Sequence, residues 1–228
     1  MKTLFEAIGY RLGKTAAKAK NIFDLVAGEG EESLRAEIRL GHDLASALLE
    51  RVPLIQENPD TRFAQDIGRW LGGHLQEKGR SFTFRVTAEP ALNAVALPGG
   101  HVFVSAPLLQ ICQGQRDEIA FILGHEMAHI VLRHAVDRIV RDSLFSLLLR
   151  QSALKQAAGA WLGRVGQQAL SRAYSRENEL EADAFAVSLI RTSGGDVSAG
   201  ERLLEKLAQR MQERCRDSAK QFFCIWRK

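Results

Sequence analysis

IAFILGHEMAHIVL, residues 119–132, is apolar around almost the whole turn of a helix, the pattern of a helix buried in a core. Four residues advance an α-helix by about 400°, so His125 and His129 project from one face, one turn apart, and both imidazoles can bind a single ion. Glu126, one position on, is angled to the side of that ion, where it can reach a water without being a ligand. Two histidines satisfied within a core helix would leave this glutamate unexplained, because burying an unpaired carboxylate costs several kcal/mol. The spacing suits hydrolysis.

A third ligand has to come from elsewhere. His134 lies five residues past His129, about 140° around a continuous helix and off the metal face. It reads as an exposed or locally bonded histidine. His42, His74 and His101 stand singly in scaffold or strand segments and read as structural. Glu179-Leu180-Glu181-Ala182-Asp183 is the better source. Glu179 and Asp183 share a helix face, so one carboxylate can bind zinc while the other accepts the outward N–H of a ligating histidine. Glu181, rotated by about 200° from Glu179, faces away.

Around these motifs the chain is mostly helical. Leu4, Phe5, Ile8, Leu12, Ala19, Ile22, Phe23 and Val26 recur at helical spacing, with Lys14, Lys18 and Lys20 on other faces. This N-terminal segment packs on its own domain or, through residues 4–26, touches a membrane surface or partner. Helices follow over about Glu32–Arg51 and Arg62–Glu77. Then the period falls to two: Phe82, Phe84 and Val86 alternate with Thr83, Arg85 and Thr87 as a half-buried strand, and strands Asn93–Leu97 and His101–Ser105 flank the turn Pro98-Gly99-Gly100. One long helical pattern runs from Arg116 to about Arg150. Ser143–Ser171 reads as a helical hairpin over the core or, as the alternative, a segment dipping against a membrane, Arg176–Arg191 and Ala199–Gln212 as further helices, and the tail Gln221–Lys228 as a docked apolar end. The expected fold is α+β, with a helical region 1–79 packed on a core 80–228 as one structural unit.

The chain has 228 residues, 46% hydrophobic and 25% charged, ordinary for a globular protein and too apolar for disorder. No apolar run approaches the roughly 20 residues needed to cross a bilayer, because Arg150, Lys155 and Arg164 interrupt the longest candidates. The opening MKTLFEAIGYRLGKTAAKAK lacks a continuous apolar core and a small-residue cleavage site, so it points to a cytoplasmic protein, peripherally membrane-associated if residues 4–26 touch lipid. Cys112, Cys215 and Cys224 are odd in number with no CxxC spacing, so neither a disulfide framework nor a thiolate zinc site is suggested. A net charge of +4 spread over helix-like segments with few aromatics points to no nucleic-acid partner.

HExxH, the later ExxxD within YSRENELEADAFAV, and NAVALPGGHVFVS ahead of the histidine helix together resemble the gluzincin metallopeptidase family of CAAX prenyl proteases, HtpX-type membrane proteases and BepA-type periplasmic proteases. The likeness runs from about Phe82 to Thr192. It implies a zincin-like domain with one Zn2+ held by His125, His129 and Glu179, Glu126 as general base, and Asp183 orienting a ligand histidine. It also implies that His101, Val102, Phe103, Val104 and Ser105 form a sheet edge beside the zinc, on which an extended substrate lies as an added strand; the alternative is an ordinary internal strand. One departure stands out. Members carry a further histidine near the C-terminus that supports the oxyanion, whereas no histidine follows His134; Arg176 and Tyr174 are the alternative donors.

The reading is therefore a zinc-dependent endopeptidase acting on polypeptides in protein quality control. Its rival is a zinc-containing protein-binding or chaperone-like module with little proteolysis. A segment such as 143–171, between the two ligand-bearing helices, is placed to plug the cleft.

Overall fold

The computed structural model describes residues 30–50, 52–56, 58–75, 79–140 and 174–225, with 214–225 described as helical backbone. The expectations for residues 4–26, for the hairpin or plug at 143–171, and for the last residues of the tail lie outside the described residues. The elements are α1 (Gly30–Leu49), α2 (Pro59–Gly73), β1 (Thr83–Thr87), β2 (Ala94–Leu97), β3 (His101–Ser105), α3 (Ala106–Ile111), α4 (Arg116–Val131), α5 (His134–Val140), α6 (Arg176–Thr192) and α7 (Ala199–Ile225).

Local chemistry sets several of these boundaries. Asn58 caps α2, its Oδ1 accepting from Thr61 N–H at 2.7 Å, and Pro59 fills the first helical position, where a missing N–H costs nothing. Ser175 caps α6 in the same way, accepting from Asn178 N–H at 3.2 Å. The turn between β2 and β3 needs Gly99 in the left-handed region at φ 75°. Below it the buried Glu37 carboxylate pairs with Arg80 and accepts from Gly99 N–H at 3.3 Å, fastening the turn to α1.

The sheet order is β1-β3-β2, with β3 parallel to β1 and antiparallel to β2. Phe84, Val86, Ala96, Val102 and Val104 join the main core with Ala64, Ile67 and Leu71 of α2, Leu123, Met127 and Ile130 of α4, and Ala186 and Ile190 of α6. The other sheet face, Val95, Leu97 and Phe103, packs on Leu44 and Ala45 of α1. Buried on both sides, the sheet is the platform beneath α4. Glu118, at the start of α4 and buried, accepts from Lys206 Nζ at 2.8 and 2.7 Å and so ties α7 to the same helix.

Two expectations are corrected. His101–Ser105 is the central strand and not an edge: β1 and β2 occupy both of its hydrogen-bonding sides, so His101, Val102, Phe103, Val104 and Ser105 cannot accept an added strand. The continuous apolar run VFV is what a strand buried on both faces requires. The edge nearest α4 is β2. The long helix from Arg116 is also broken, because α4 ends at Val131, Arg133 takes φ 62°, and α5 leaves at 55°. Among the described residues no single helix is long and apolar enough to cross a membrane.

Candidate metal centre

Four residues along α4 bring His125 and His129 onto one side, and their Nε2 atoms face each other at 3.1 Å. α6 crosses α4 beside them. Gly124 lies at this crossing, where a Cβ would stand 3.4 Å from both Cα and Cβ of Ala186, in close van der Waals contact. The approach places Glu179 Oε2 3.3 Å from His125 Nε2 and Oε1 4.0 Å from His129 Nε2. One donor atom from each of the three residues lies within 4.8 Å of the others. Ligands of one tetrahedral zinc with bonds of about 2.0–2.1 Å stand roughly 3.3 Å apart, so this donor set fits such an ion.

The surroundings prepare each group differently. His125 Nδ1 donates to Asp183 Oδ1 at 2.9 Å. Burial works against a charge on His125, but its hydrogen bonds to Asp183 and Glu179 outweigh that and lift it to about 10. His129 is 1% exposed, and burial, with His125, His134 and Arg138 adding to it, lowers it to about 3. Tyr174 lies flat on the His129 ring, centroids 3.7 Å apart and planes 8° off parallel, with Arg138 over the tyrosine's ring at 4.8 Å.

Glu126 is 8% exposed, and burial pushes its carboxyl up to about 7. His125, Arg138 and the backbone N–H of Ala96 oppose that rise, while Glu179 adds to it. A carboxylate poised near neutrality beside a metal-ligand set is suited to taking and returning a proton. The contact with Ala96 also shows that β2, rather than β3, borders this carboxylate.

Comparison with known proteins gives the arrangement a family. The sequence model of peptidase family M48 matches residues 64–220. The chain belongs to peptidase family M48. Among the M48 chain's relatives, the beta-barrel assembly-enhancing protease of Escherichia coli K12 is 26% identical over 187 residues, covering 77% of this chain and 38% of the relative. The mitochondrial metalloendopeptidase OMA1 of Schizosaccharomyces pombe is 32% identical over 123 residues, 54% of this chain and 36% of that one. The metalloprotease YcaL of Escherichia coli K12 is 27% identical over 135 residues, 56% and 51% respectively. The chain thus spans well under two thirds of the length of these curated relatives.

Within this M48 site, the structure brings together His125, His129, Glu179, Glu126 and Asp183. The strand 101–105 lies one strand further away. Of the alternative donors, Tyr174 is stacked on His129 with a buried hydroxyl that has no partner among the described residues, and Arg176 is exposed at the start of α6. Sequence reasoning missed His134 and Glu181. His134 is 5% exposed, its Nδ1 3.1 Å from His129 Nδ1 and its Nε2 3.1 Å from Glu181 Oε2. The helical extrapolation that sent His134 to another face assumed a continuous helix, and the break at Arg133 removes that assumption. Glu181 does face away from Glu179, but toward His134.

Proposed function

We propose that this M48 chain is a zinc-dependent metalloendopeptidase that hydrolyses peptide bonds of polypeptides in protein quality control. The observation that carries the reading is the convergence of three donors from His125, His129 and Glu179 beside the buried carboxylate of Glu126. In this reading those three residues hold one Zn2+ and Asp183 fixes His125. When bound, zinc polarises a peptide carbonyl and makes a water acidic enough to attack near neutral pH. Glu126 takes the proton of the attacking water and delivers it to the leaving amine. An extended substrate lies along β2, whose outer side has no strand neighbour among the described residues. The names of the relatives, one enhancing β-barrel assembly and one a mitochondrial metalloendopeptidase, support the quality-control role.

The test combines elemental analysis with cleavage of casein. Wild type is expected to carry one zinc per chain and to cut casein. Glu179→Ala should lose the metal. Glu126→Gln should keep it and lose about 10²–10⁴-fold in rate. Equal cleavage by wild type and Glu126→Gln, or zinc-loaded wild type that binds unfolded chains without cutting them, would favour the binding-module alternative.

A further inference from the structure

A neutral imidazole carries one proton, and only its other nitrogen can bind a metal, so the hydrogen bond made by the outer nitrogen determines whether a histidine is a ligand at all. For His125 the matter is simple. Asp183 can only accept, so in the neutral, metal-binding form of the ring the proton sits on Nδ1 and Nε2 is the nitrogen left to bind. His129 has no carboxylate of its own. Its Nδ1 faces another imidazole nitrogen, His134 Nδ1, at 3.1 Å, and such a pair bonds only if one of the two donates.

The direction is decided one residue further out. His134 Nε2 is 3.1 Å from Glu181 Oε2, and a carboxylate accepts only. As a neutral imidazole, His134 therefore donates from Nε2 and accepts at Nδ1. His129 then donates from Nδ1 and presents the lone pair of Nε2 toward His125 Nε2 and Glu179 Oε1. Packing holds the chain in register: His134 is buried at the start of α5, just past the left-handed Arg133, and Tyr174 covers the face of His129.

We infer that His134 and Glu181 are positioning residues of the metal centre, a relay that fixes the tautomer and ring plane of His129 as Asp183 does directly for His125. This rests on the metal reading of the site proposed above. The two links are unequal: the Glu181 side chain is 64% exposed whereas that of His134 is 6% exposed, so solvent can replace much of what the carboxylate supplies.

The experiment is equilibrium zinc binding by chelator competition on the full chain, with ¹⁵N histidine NMR of the metal-free protein. His134→Ala should weaken zinc binding by about 10–100-fold, and Glu181→Ala by a smaller factor, about 3–10-fold. His134→Asn, whose Oδ1 stands near the lost Nδ1 and accepts from His129, should recover most of the affinity. Ser188→Ala, on the exposed side of α6, should match wild type. In wild type the His129 proton should reside on Nδ1, and in His134→Ala it should redistribute to Nε2. Unchanged affinity in a folded His134→Ala, or equal impairment of the Ala and Asn variants, would overturn the relay while leaving the metal centre standing. Should His134→Ala not fold, unchanged affinity in Glu181→Ala overturns it equally. A wild type that takes up no zinc overturns the metal-centre reading and the relay together.

Discussion

Cys112 lies wholly within the core, its thiol 3.8 Å from the Leu108 carbonyl oxygen. Burial pushes that thiol up to about 12, with Glu118 adding to the effect and Lys206 opposing it. The thiolate is the nucleophile, so at pH 9 the folded chain should leave Cys112 unalkylated by iodoacetamide while the chain in urea reacts; peptide mapping checks this. The sign for stability follows. A raised folded-state value means the native chain holds its proton more tightly, so this contribution is present below the unfolded thiol's value and is lost as pH climbs toward 12. Glu118 gives a second test. Lys206→Ala removes the two short bonds to a carboxylate that is 1% exposed, leaving it beside Arg202 Nε at 3.9 Å. It should destabilise the chain by about 1–3 kcal/mol in urea titrations, and Glu118→Gln should relieve part of that loss in the double variant.

At the scale of elements, the centre depends on how closely α4 and α6 cross. Gly124→Val forces a branched side chain against Ala186 and should cost about 1–3 kcal/mol of stability. Zinc affinity should fall with it, because His125 and His129 sit on one helix and Glu179 on the other; thermal unfolding and chelator competition report the two losses separately. Helix and strand positions were legible because their apolar periods are local. The clustering of His125, His129 and Glu179 was legible because a helix converts spacing into direction. The rank of β3 was not, since the sequence does not say which two of three strands are outermost; only the unbroken VFV hinted at it. His134 was hidden for a different reason. Nothing in Leu132-Arg133 announces a helix break, as a glycine or proline would, and Arg133 adopts its left-handed conformation in a setting where its guanidinium bonds Ser33 Oγ at 2.8 Å.

For the molecule as a whole, an ion gripped by α4 and α6 would tie together helices that also contribute to the main core, so binding and folding are coupled. Chelation should lower the unfolding temperature. If free zinc stands at a thousand times its dissociation constant, binding adds about 4 kcal/mol. At about 2–4 °C per kcal/mol for a chain of this size, that is a drop of roughly 8–16 °C on adding EDTA, reversed by zinc and followed by circular dichroism. Glu179, Glu181 and Asp183 fall within five consecutive residues of α6, and His125, Glu126 and His129 within five of α4. The proposed ligands and their carboxylate supports are thus written in two short cassettes set by one helix crossing, with His134, just past the break at Arg133, the one link outside them. For an engineer, that crossing and the short break that follows α4 are the parts worth transplanting: a scaffold that reproduces both inherits the donor set together with what orients it.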